Sequence, residues 1–216
     1  MKIYAISLKH QNDRQVVLKQ YFDNIEFVDA IDKVNIKKKT KDSDYLYENL
    51  TYTSDLKNGE IACFLSHQKV WTMIANSNND DWVLVLEDDA KPKKDWNVRL
   101  DEGIKEIPEQ YGIVYLGGAR KTTIPKTIEK RSERNLKKIN WKFHEEKSLG
   151  KYTELCNPVL QTHAYLIKPS TARHLLNSIK TIEYPIDYQW WLYGVGFARF
   201  KKALIVQNRI FKSTIQ

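Results

Sequence analysis

The amino-acid sequence predicts an α/β fold in which one mostly parallel central sheet is flanked by helices. Three observations lead to this prediction. Short apolar segments of strand length alternate with longer segments whose apolar residues recur at helical spacing. Two strand-like segments, Trp82–Leu86 and Gly112–Gly118, are apolar almost throughout, as is typical of central parallel strands buried on both faces. No internal repeat and no Pro- or Gly-rich linker interrupts the chain, so residues 1–216 are expected to form one domain.

The N-terminal segment predicts a strand, a helix and a second strand. Residues Lys2–Leu8 alternate as in a β-strand and are followed by a polar loop at Lys9–Arg14. Apolar residues at helical spacing predict a helix over Val16–Phe22, and Glu26–Ile31 is the second strand. Two parallel strands joined by a crossover helix are expected from this order. The polar segment Asn35–Asn58 is predicted to be a long loop with a short helix.

The central segment predicts two further helices and two buried strands. Apolar residues near one face predict a helix over Gly59–Ile74. The apolar strand Trp82–Leu86 follows and ends abruptly in three acids, Glu87–Asp89. A helix over Trp96–Ile107 and the strand Gly112–Gly118 come next.

The C-terminal segment continues the alternation of strands and helices. Ala164–Ile167 reads as a strand, and Pro169–Ile179 as a helix with its proline near the start and Ser170 as its expected cap. Ala203–Val206 is the last predicted strand.

The composition is that of a globular protein, because 42% of the residues are hydrophobic and the chain contains 12 tyrosines and 6 tryptophans. No apolar run approaches the ~20 residues needed to cross a bilayer. A charge as early as Lys9 argues against a signal peptide. We therefore expect a cytoplasmic protein, for which peripheral attachment to the inner membrane face stays open.

The two cysteines, Cys63 and Cys156, are too few for a disulfide framework. We expect no metal site at either cysteine, because neither is predicted to have a second Cys or a His at metal-ligand spacing. Both are expected to be reduced, buried thiols.

Positive charge is concentrated in one segment. The formal net charge of the chain is +8, and Arg120–Lys151 carries eleven Lys and Arg against four acids, a balance of 11 − 4 = +7. Such a segment can attract nucleic acid, anionic lipid or an acidic glycan, or it can be a solvated loop with an amphipathic helix.

The acids Glu87–Asp89 predict a metal–phosphate site. They follow a buried strand directly, and ligands of open α/β sheets bind beyond the carboxyl ends of the strands. Three adjacent acids repel one another unless a cation or hydrogen-bond donors compensate. Oxygen ligands suit a hard ion such as Mn²⁺ or Mg²⁺, which can bridge a carboxylate and a diphosphate. A solvated acidic turn is the alternative.

Four sequence blocks match, in order, the pattern of one known family. They are Tyr4–Leu8 with Asp13 and Arg14, Phe27–Asp32, Gly59–His67 with Trp71 and Leu86–Asp89, and Thr162–Ile167 with Ala172, Leu175, Leu176 and Pro185–Asp187. On these blocks the chain resembles glycosyltransferase family 25, the group that contains lipooligosaccharide and procollagen galactosyltransferases. The third block is the most specific of the four. The segment Arg120–Lys151 matches no specific part of the family pattern. We therefore expect this segment to determine which acceptor is used.

The resemblance implies an inverting, metal-dependent glycosyltransferase with a GT-A-like (Rossmann-like) fold. The donor would be a UDP-sugar, with galactose or glucose favoured, and the acceptor a glycan such as a lipooligosaccharide or surface polysaccharide. The acidic triplet corresponds to the family's DXD-type motif, which binds Mn²⁺ or Mg²⁺. Carried over to this sequence, Asp89 would bind the metal. The implied donor-binding residues are Glu87 and Asp88 at the ribose, metal or sugar, Ser7, Leu8 and Arg14 at the nucleotide, Asp29 and Ala30 near the base, and Ser66 and His67 in the donor pocket. Family members often carry Asn where Ser7 stands.

Asp187 is the candidate general base. An inverting transfer needs a carboxylate that deprotonates the acceptor hydroxyl. Asp187 lies among the aromatic residues 184, 188, 190, 191 and 193, whose rings can stack on sugars and raise the pKa of a carboxyl group. The alternative is that Asp187 caps a helix and the aromatic residues belong to the core.

Each of the candidate histidines has a functional and a structural interpretation. His67 and His163 either touch the donor or the metal, or are hydrogen-bonded residues of the fold. His10 could reach the nucleotide, and His144 and His174 are expected at the surface.

Other functions are less consistent with the sequence. A nucleotidyl or phosphoryl transferase could use the same carboxylates, but its usual Gly-rich phosphate loop is missing. A nucleic-acid-binding module could use the basic segment, but no zinc-finger spacing or RNA-binding signature accompanies it. No nucleic-acid partner is therefore expected. An inactive relative that still binds a donor is a third possibility.

Overall fold

The computed structural model describes residues 1–36, 51–52, 56–117, 147–155, 159 and 161–211. Structural statements below refer to these residues. Most of the basic segment, including His144, and Cys156 lie outside them. Within the described residues, no helix is long and apolar enough to cross a membrane.

The described elements alternate strands and helices, and the predicted α/β class is confirmed. The strands are β1 (Lys2–Ser7), β2 (Ile25–Asp29), β3 (Thr51–Tyr52), β4 (Val83–Glu87), β5 (Ala90–Pro92), β6 (Ile113–Tyr115), β7 (Thr153–Leu155), β8 (Ala164–Ile167), β9 (Thr181–Ile182), β10 (Phe197–Phe200) and β11 (Ile205–Gln207). The α-helices are α1 (Asn12–Lys19), α2 (Asn58–Ala75), α3 (Trp96–Gly103), α4 (Pro169–Ser178) and α5 (Ile186–Gln189). Short 3-10 turns cover Lys33–Asn35, Ile104–Glu106 and Trp190–Tyr193.

Seven of these strands form the central sheet, in the order β2-β1-β4-β8-β6-β10-β7. Strand β1 is parallel to β2 and β4, and β10 is parallel to β6. Strand β8 is antiparallel to both neighbours, as is the edge strand β7 to β10. Five of the seven strands therefore run in one direction, as the prediction of a mostly parallel sheet requires.

Both faces of the sheet are covered. In β4, Val85 packs with α2 and α4, whereas Leu84 and Leu86 pack on the opposite face against α1 and α3. All three side chains are fully buried, which explains why the strand is apolar without alternation. Under α2, Trp71 stacks on Trp190 with ring centroids 6.1 Å apart.

Helix α1 begins earlier than the sequence predicts. It starts at Asn12 rather than Val16, and Val16 is 57% exposed. Its inner face instead carries Arg14 and Leu18. The start of the helix is predicted too late because Arg14 is charged. Hydrophobic periodicity therefore assigns it to a loop, although its side chain is buried on the inner face of the helix.

The predicted cap of α4 is wrong. The helix begins at Pro169, as expected for proline in the first turn. The residue before it is Lys168, whose own side chain makes no capping hydrogen bond. Ser170 instead lies inside the first turn, where its backbone N–H and hydroxyl donate to Asp80 at 2.6 and 2.8 Å.

The last predicted strand does not join the central sheet. It covers Ile205–Gln207 and pairs antiparallel with β5 in a separate two-stranded ribbon. This ribbon begins directly after the acidic triplet, since Gln207 pairs with Ala90. Residues 205–208 are thereby brought to the carboxyl end of β4.

Candidate active site

A cleft of ≈ 280 Å³ opens at the carboxyl ends of β1 and β4, beside α2. Because these two strands are parallel neighbours, the residues that follow them meet at one sheet edge. Nine of the eleven predicted site residues line the cleft: Ser7, Leu8, Arg14, Ala30, Ser66, His67, Glu87, Asp88 and Asp89. Asp29 and Asp187 do not line it. These nine are just under half of the 19 described residues that line the cleft.

Asp88 is held by the last residue of β1 and by a residue of α1. Its two carboxylate oxygens accept hydrogen bonds from Ser7 Oγ at 3.0 Å and from Arg14 Nη1 at 2.8 Å. Burial raises the pKa of Asp88, and the bonds from Arg14 and Ser7 offset only part of this effect. Arg14, expected at a diphosphate, thus lies against an acid of the triplet.

Glu87 is held by a residue just before β8 and by a residue of α2. Thr162 Oγ1 donates to Glu87 Oε1 at 2.5 Å, and His67 Nε2 lies 3.5 Å from the same oxygen. Burial by itself raises the pKa of Glu87, but the interactions with His67 and Thr162 outweigh it and lower the pKa overall. Glu87 is therefore ionised at neutral pH.

Asp89 has an unsatisfied oxygen. Its backbone oxygen accepts from Asn208 N at 2.6 Å, and Gln207 Nε2 lies 3.5 Å from Oδ2. Oδ1 is buried and has no hydrogen-bond partner among the described residues. Burial first, and then the charges of Glu87 and Asp88, raise the pKa of Asp89 to about 7. A hard divalent cation fits this donor set, because it would bind the orphaned oxygen and compensate the clustered charge.

Ser66 joins α2 to the loop after β2. Its hydroxyl donates to the Ala62 carbonyl at 2.6 Å and accepts from Ile31 N at 2.9 Å. This contact holds Ala30 at the cleft. Asp29 points elsewhere, because its carboxylate pairs with Lys9 at 3.0 Å.

Cys63 and His67 lie close enough together to share a metal ion, contrary to the prediction from the sequence. They are one turn apart on α2, and their ligand atoms lie within 4.8 Å of each other and of a Glu87 oxygen. The statement that no His stands at metal-ligand spacing from Cys63 is therefore wrong, because spacing i, i+4 places two side chains on one helix face. Cys63 carries a free thiol and is partly buried.

Asp187 lies in the first turn of α5, outside the cleft lining. It does not cap the helix, since the position before the helix is Pro185. Burial first, and then the charge of Glu87, raise its pKa to about 7. Of the aromatic residues around it, Trp190 and Tyr184 are buried in the fold, so these two rings are core rather than sugar platforms.

The other histidines differ in their surroundings. His163 is buried, with Nε2 3.3 Å from the Ile205 carbonyl oxygen, and burial lowers its pKa. His10 lines the cleft. His174 is exposed, as expected, and its Nε2 lies 2.8 Å from the Tyr193 carbonyl.

The sequence reasoning missed several residues that contact the acidic triplet. Thr162 stands just before β8, while Gln207 and Asn208 come at the end of β11. The strand-end rule that singled out Glu87–Asp89 also applies to Gln207 and Asn208. No sequence signal places the β5–β11 ribbon beside β4, since that pairing joins residues more than a hundred positions apart.

Comparison with known proteins gives one family. The family model described as "Glycosyltransferase family 25 (LPS biosynthesis protein)" matches residues 1–190. A protein of Acanthamoeba polyphaga mimivirus with a provisional glycosyltransferase name is 29% identical over 122 residues, which are 54% of this chain and 37% of that protein. A "Glycosyltransferase 25 family member" of Anopheles gambiae is 32% identical over 98 residues, 41% of this chain and 16% of its own length. "Probable inactive glycosyltransferase 25 family member 3" of Bos taurus is 27% identical over 128 residues, 54% and 21% of the two chains. This chain thus matches well under half the length of each of these relatives.

Proposed function

The chain belongs to glycosyltransferase family 25, and from this premise we propose that it is an inverting, metal-dependent glycosyltransferase. It transfers a hexose, galactose or glucose, from a UDP-sugar to a glycan acceptor. The observation that carries the proposal is the orphaned Asp89 oxygen beside Glu87 and Asp88 in the cleft. A buried, unsatisfied carboxylate oxygen is costly unless a ligand completes it.

The cation site consists of Asp89 with Glu87. Asp88 is the least suited of the three acids, because Arg14 and Ser7 already occupy both of its oxygens. A bound Mn²⁺ or Mg²⁺ would offset the negative charge that grows on the departing diphosphate. Glu87 is kept ionised by His67 and Thr162, so it is ready to accept a cation.

The nucleotide half of the site is built from the loops after β1 and β2. Leu8 and Ala30 line the cleft on its apolar side, and Ser66 fixes the position of the second loop through Ile31. Arg14 stands at the boundary with the acids. Its guanidinium can meet a diphosphate when a cation takes over part of the charge of the triplet. Asp29 has a supporting role here, since it pairs with Lys9 outside the cleft lining.

Asp187 serves as the general base. A base works best when its pKa is near the working pH, and the pKa of Asp187 is raised to about 7. The charge of Glu87 contributes to this shift. Asp187 would take the proton of the acceptor hydroxyl on the face opposite the leaving diphosphate.

A second groove, of ≈ 940 Å³, suits an anionic acceptor. Its described lining contains no acid and five basic residues: Lys91, Lys93, Lys94, Arg99 and Arg209. Gln207 lines both this groove and the cleft, so the two are neighbours. Lipooligosaccharides and many surface polysaccharides carry phosphate or carboxylate groups, which such a groove would attract.

Peripheral association with an anionic membrane completes the proposal. A glycolipid acceptor is presented at the membrane surface, and clustered Lys and Arg side chains are attracted to anionic headgroups. The test is sedimentation with anionic liposomes after neutralising five residues of the basic segment. Unchanged partitioning of this variant would contradict the membrane role. The five residues are Lys130, Arg131, Arg134, Lys137 and Lys138.

Thermal denaturation with UDP, GDP, CMP and UDP-sugars, each with Mn²⁺ or with EDTA, tests the donor site. A ligand at 100 times its Kd stabilises the folded protein by about 2.7 kcal/mol. We expect UDP and one UDP-sugar to raise the Tm in Mn²⁺ but not in EDTA. Asp89→Ala should abolish the shift, and the exposed Asp101→Ala on α3 should retain it. A shift that is independent of metal, or equal in both variants, would contradict the proposal.

Product analysis separates this function from its competitors. A glycosyltransferase releases UDP, whereas a nucleotidyl transferase releases pyrophosphate and a phosphoryl transferase leaves a phosphorylated acceptor. Hydrolysis of a UDP-hexose to UDP in the absence of acceptor would distinguish an active enzyme from a relative that only binds the donor.

A further inference from the structure

Three side chains with different ligand atoms converge on the floor of the cleft. Cys63 and His67 project from one face of α2, and Glu87 comes from the end of β4. The Cys63 sulfur, a His67 ring nitrogen and a Glu87 oxygen all lie within 4.8 Å of one another. Each of these residues also lines the cleft, so an ion among them would be reached from the open side.

The ring of His67 is aimed and supported as in a metal ligand. His67 is 1% exposed, and among the described residues its Nε2 makes no hydrogen bond but lies 3.5 Å from Glu87 Oε1, another atom of the group. Its Nδ1 lies 2.8 Å from the Tyr165 hydroxyl, which also accepts a hydrogen bond from Trp71 Nε1 at 2.9 Å. Metal-binding histidines characteristically donate their second ring N–H in this way, which fixes the ring. In the tautomer of His67 that carries its proton on Nδ1, Nε2 has a lone pair for the ion.

The sulfur, nitrogen and oxygen ligands of this group favour one kind of metal ion over another. A thiolate and an imidazole prefer Zn²⁺ and similar ions, whereas Mn²⁺ and Mg²⁺ prefer oxygen ligands alone. Three protein ligands with a fourth position open to the cleft match the arrangement of an accessible zinc site rather than a closed structural one.

We propose that Cys63, His67 and Glu87 form a second metal site that takes Zn²⁺ and overlaps the oxygen-ligand site at Asp89 only through Glu87. On binding, the thiol of Cys63 loses its proton to solvent as the sulfur–zinc bond forms. The two sites share Glu87. Zinc would therefore withdraw Glu87 from the donor complex and oppose the binding of Mn²⁺ and a UDP-sugar.

Cobalt titration tests the site without any measurement of sugar transfer. Co²⁺ takes the same ligands as Zn²⁺, and a cobalt–thiolate bond gives an absorption band in the near ultraviolet. We expect tag-free protein to bind one Co²⁺ per chain with this band, and Zn²⁺ to displace it. Cys63→Ala should abolish the band, and Cys63→Ser should weaken Zn²⁺ binding by about tenfold or more.

The other cysteine of the sequence provides a matched control. Cys156→Ser should keep both the cobalt band and the affinity for Zn²⁺. A band that persists in Cys63→Ala, or that is lost in Cys156→Ser, would overturn the proposal. Cys63 packs against the core, so the Tm of each Cys63 variant is measured to show that loss of the band does not come from unfolding.

Asp89→Ala separates this site from the donor site. This variant should lose the Mn²⁺-dependent shift with UDP but keep the cobalt band and bind Zn²⁺ within about twofold of the parent. Loss of the band in Asp89→Ala would mean that one shared site explains all metal binding, which would overturn the proposal. If no nucleotide binds to any variant, the donor proposal fails while the cobalt readout still decides this one.

Discussion

Arg14 Nη1 lies 2.8 Å from Asp88 Oδ1, and the side chains of the two residues are only 8% and 13% exposed. This ion pair joins α1 to the loop after β4 across 74 positions of sequence. It also distinguishes Asp88, whose two oxygens are already hydrogen-bonded, from Glu87 and Asp89. The pair therefore belongs both to the fold and to the site.

Arg14→Ala should destabilise the protein by about 2–3 kcal/mol, because it leaves the carboxylate of Asp88 buried without its partner. The double variant Arg14→Ala/Asp88→Asn should recover part of this loss. Urea unfolding of the two single variants and the double variant measures the coupling free energy.

The exposed pair Lys2–Glu26 is the matched control. Lys2→Ala should change the free energy of unfolding by no more than about 0.5 kcal/mol. An Arg14→Ala variant as stable as Lys2→Ala would show that the buried pair contributes little to stability.

Asp89→Asn should make the metal-free protein more stable at neutral pH. The pKa of Asp89 is raised from 3.8 to about 7 in the folded protein. Between these values the folded state binds the proton more tightly than the unfolded state, so stability falls as pH rises. In EDTA, the Tm of Asp89→Asn should therefore exceed that of the parent by a few degrees at pH 8, and the difference should vanish at pH 4.

In Mn²⁺ the parent protein should have a higher Tm than Asp89→Asn, the reverse of the order in EDTA. The ion binds the parent protein and raises its Tm, but it should leave Asp89→Asn unchanged. A less stable Asp89→Asn variant at pH 8 in EDTA would contradict the argument that the Asp89 charge is uncompensated.

The sequence predicts the positions of Glu87 and Asp89 well, because an apolar strand that ends in acids is a local signal. It also predicts α2, whose buried face recurs at helical spacing from Ile61 to Ile74. Both features depend on residues that are close in sequence, and α2 with the acidic triplet supplies eight of the 19 described residues that line the cleft.

Long-range pairings could not be predicted in this way. The antiparallel β8 lies between β4 and β6, yet its four apolar residues do not indicate a direction. Strand β5, with three residues, exists through its pairing with β11. Gln207 and Asn208 reach Asp89 only because of this pairing, so their contacts with the site were not foreseen.

Asp187→Asn should lower kcat by about 10²–10⁴-fold, the range for loss of a general base. Binding of UDP should stay within about twofold, because Asp187 does not line the donor cleft. In the parent enzyme kcat should rise with pH through about 7, since the base must lose its proton. Measurement of kcat from pH 5 to 9, with Asp101→Asn as the control, tests both expectations. Equal losses of kcat and UDP affinity would instead assign Asp187 to donor binding.

Tyr165→Phe should destabilise the protein by about 1–3 kcal/mol, because a single hydroxyl serves two buried side chains. Its removal takes the acceptor from Trp71 Nε1 and the partner from His67 Nδ1. The His67 ring also loses the contact that holds Nε2 toward Glu87. The variant should therefore bind Mn²⁺ with altered affinity as well as unfold at lower urea concentration. The half-buried Tyr21 provides the control, and Tyr21→Phe should change neither quantity. If Tyr165→Phe loses stability but keeps its affinity for Mn²⁺, the Trp71–Tyr165–His67 chain supports the core without orienting the metal site.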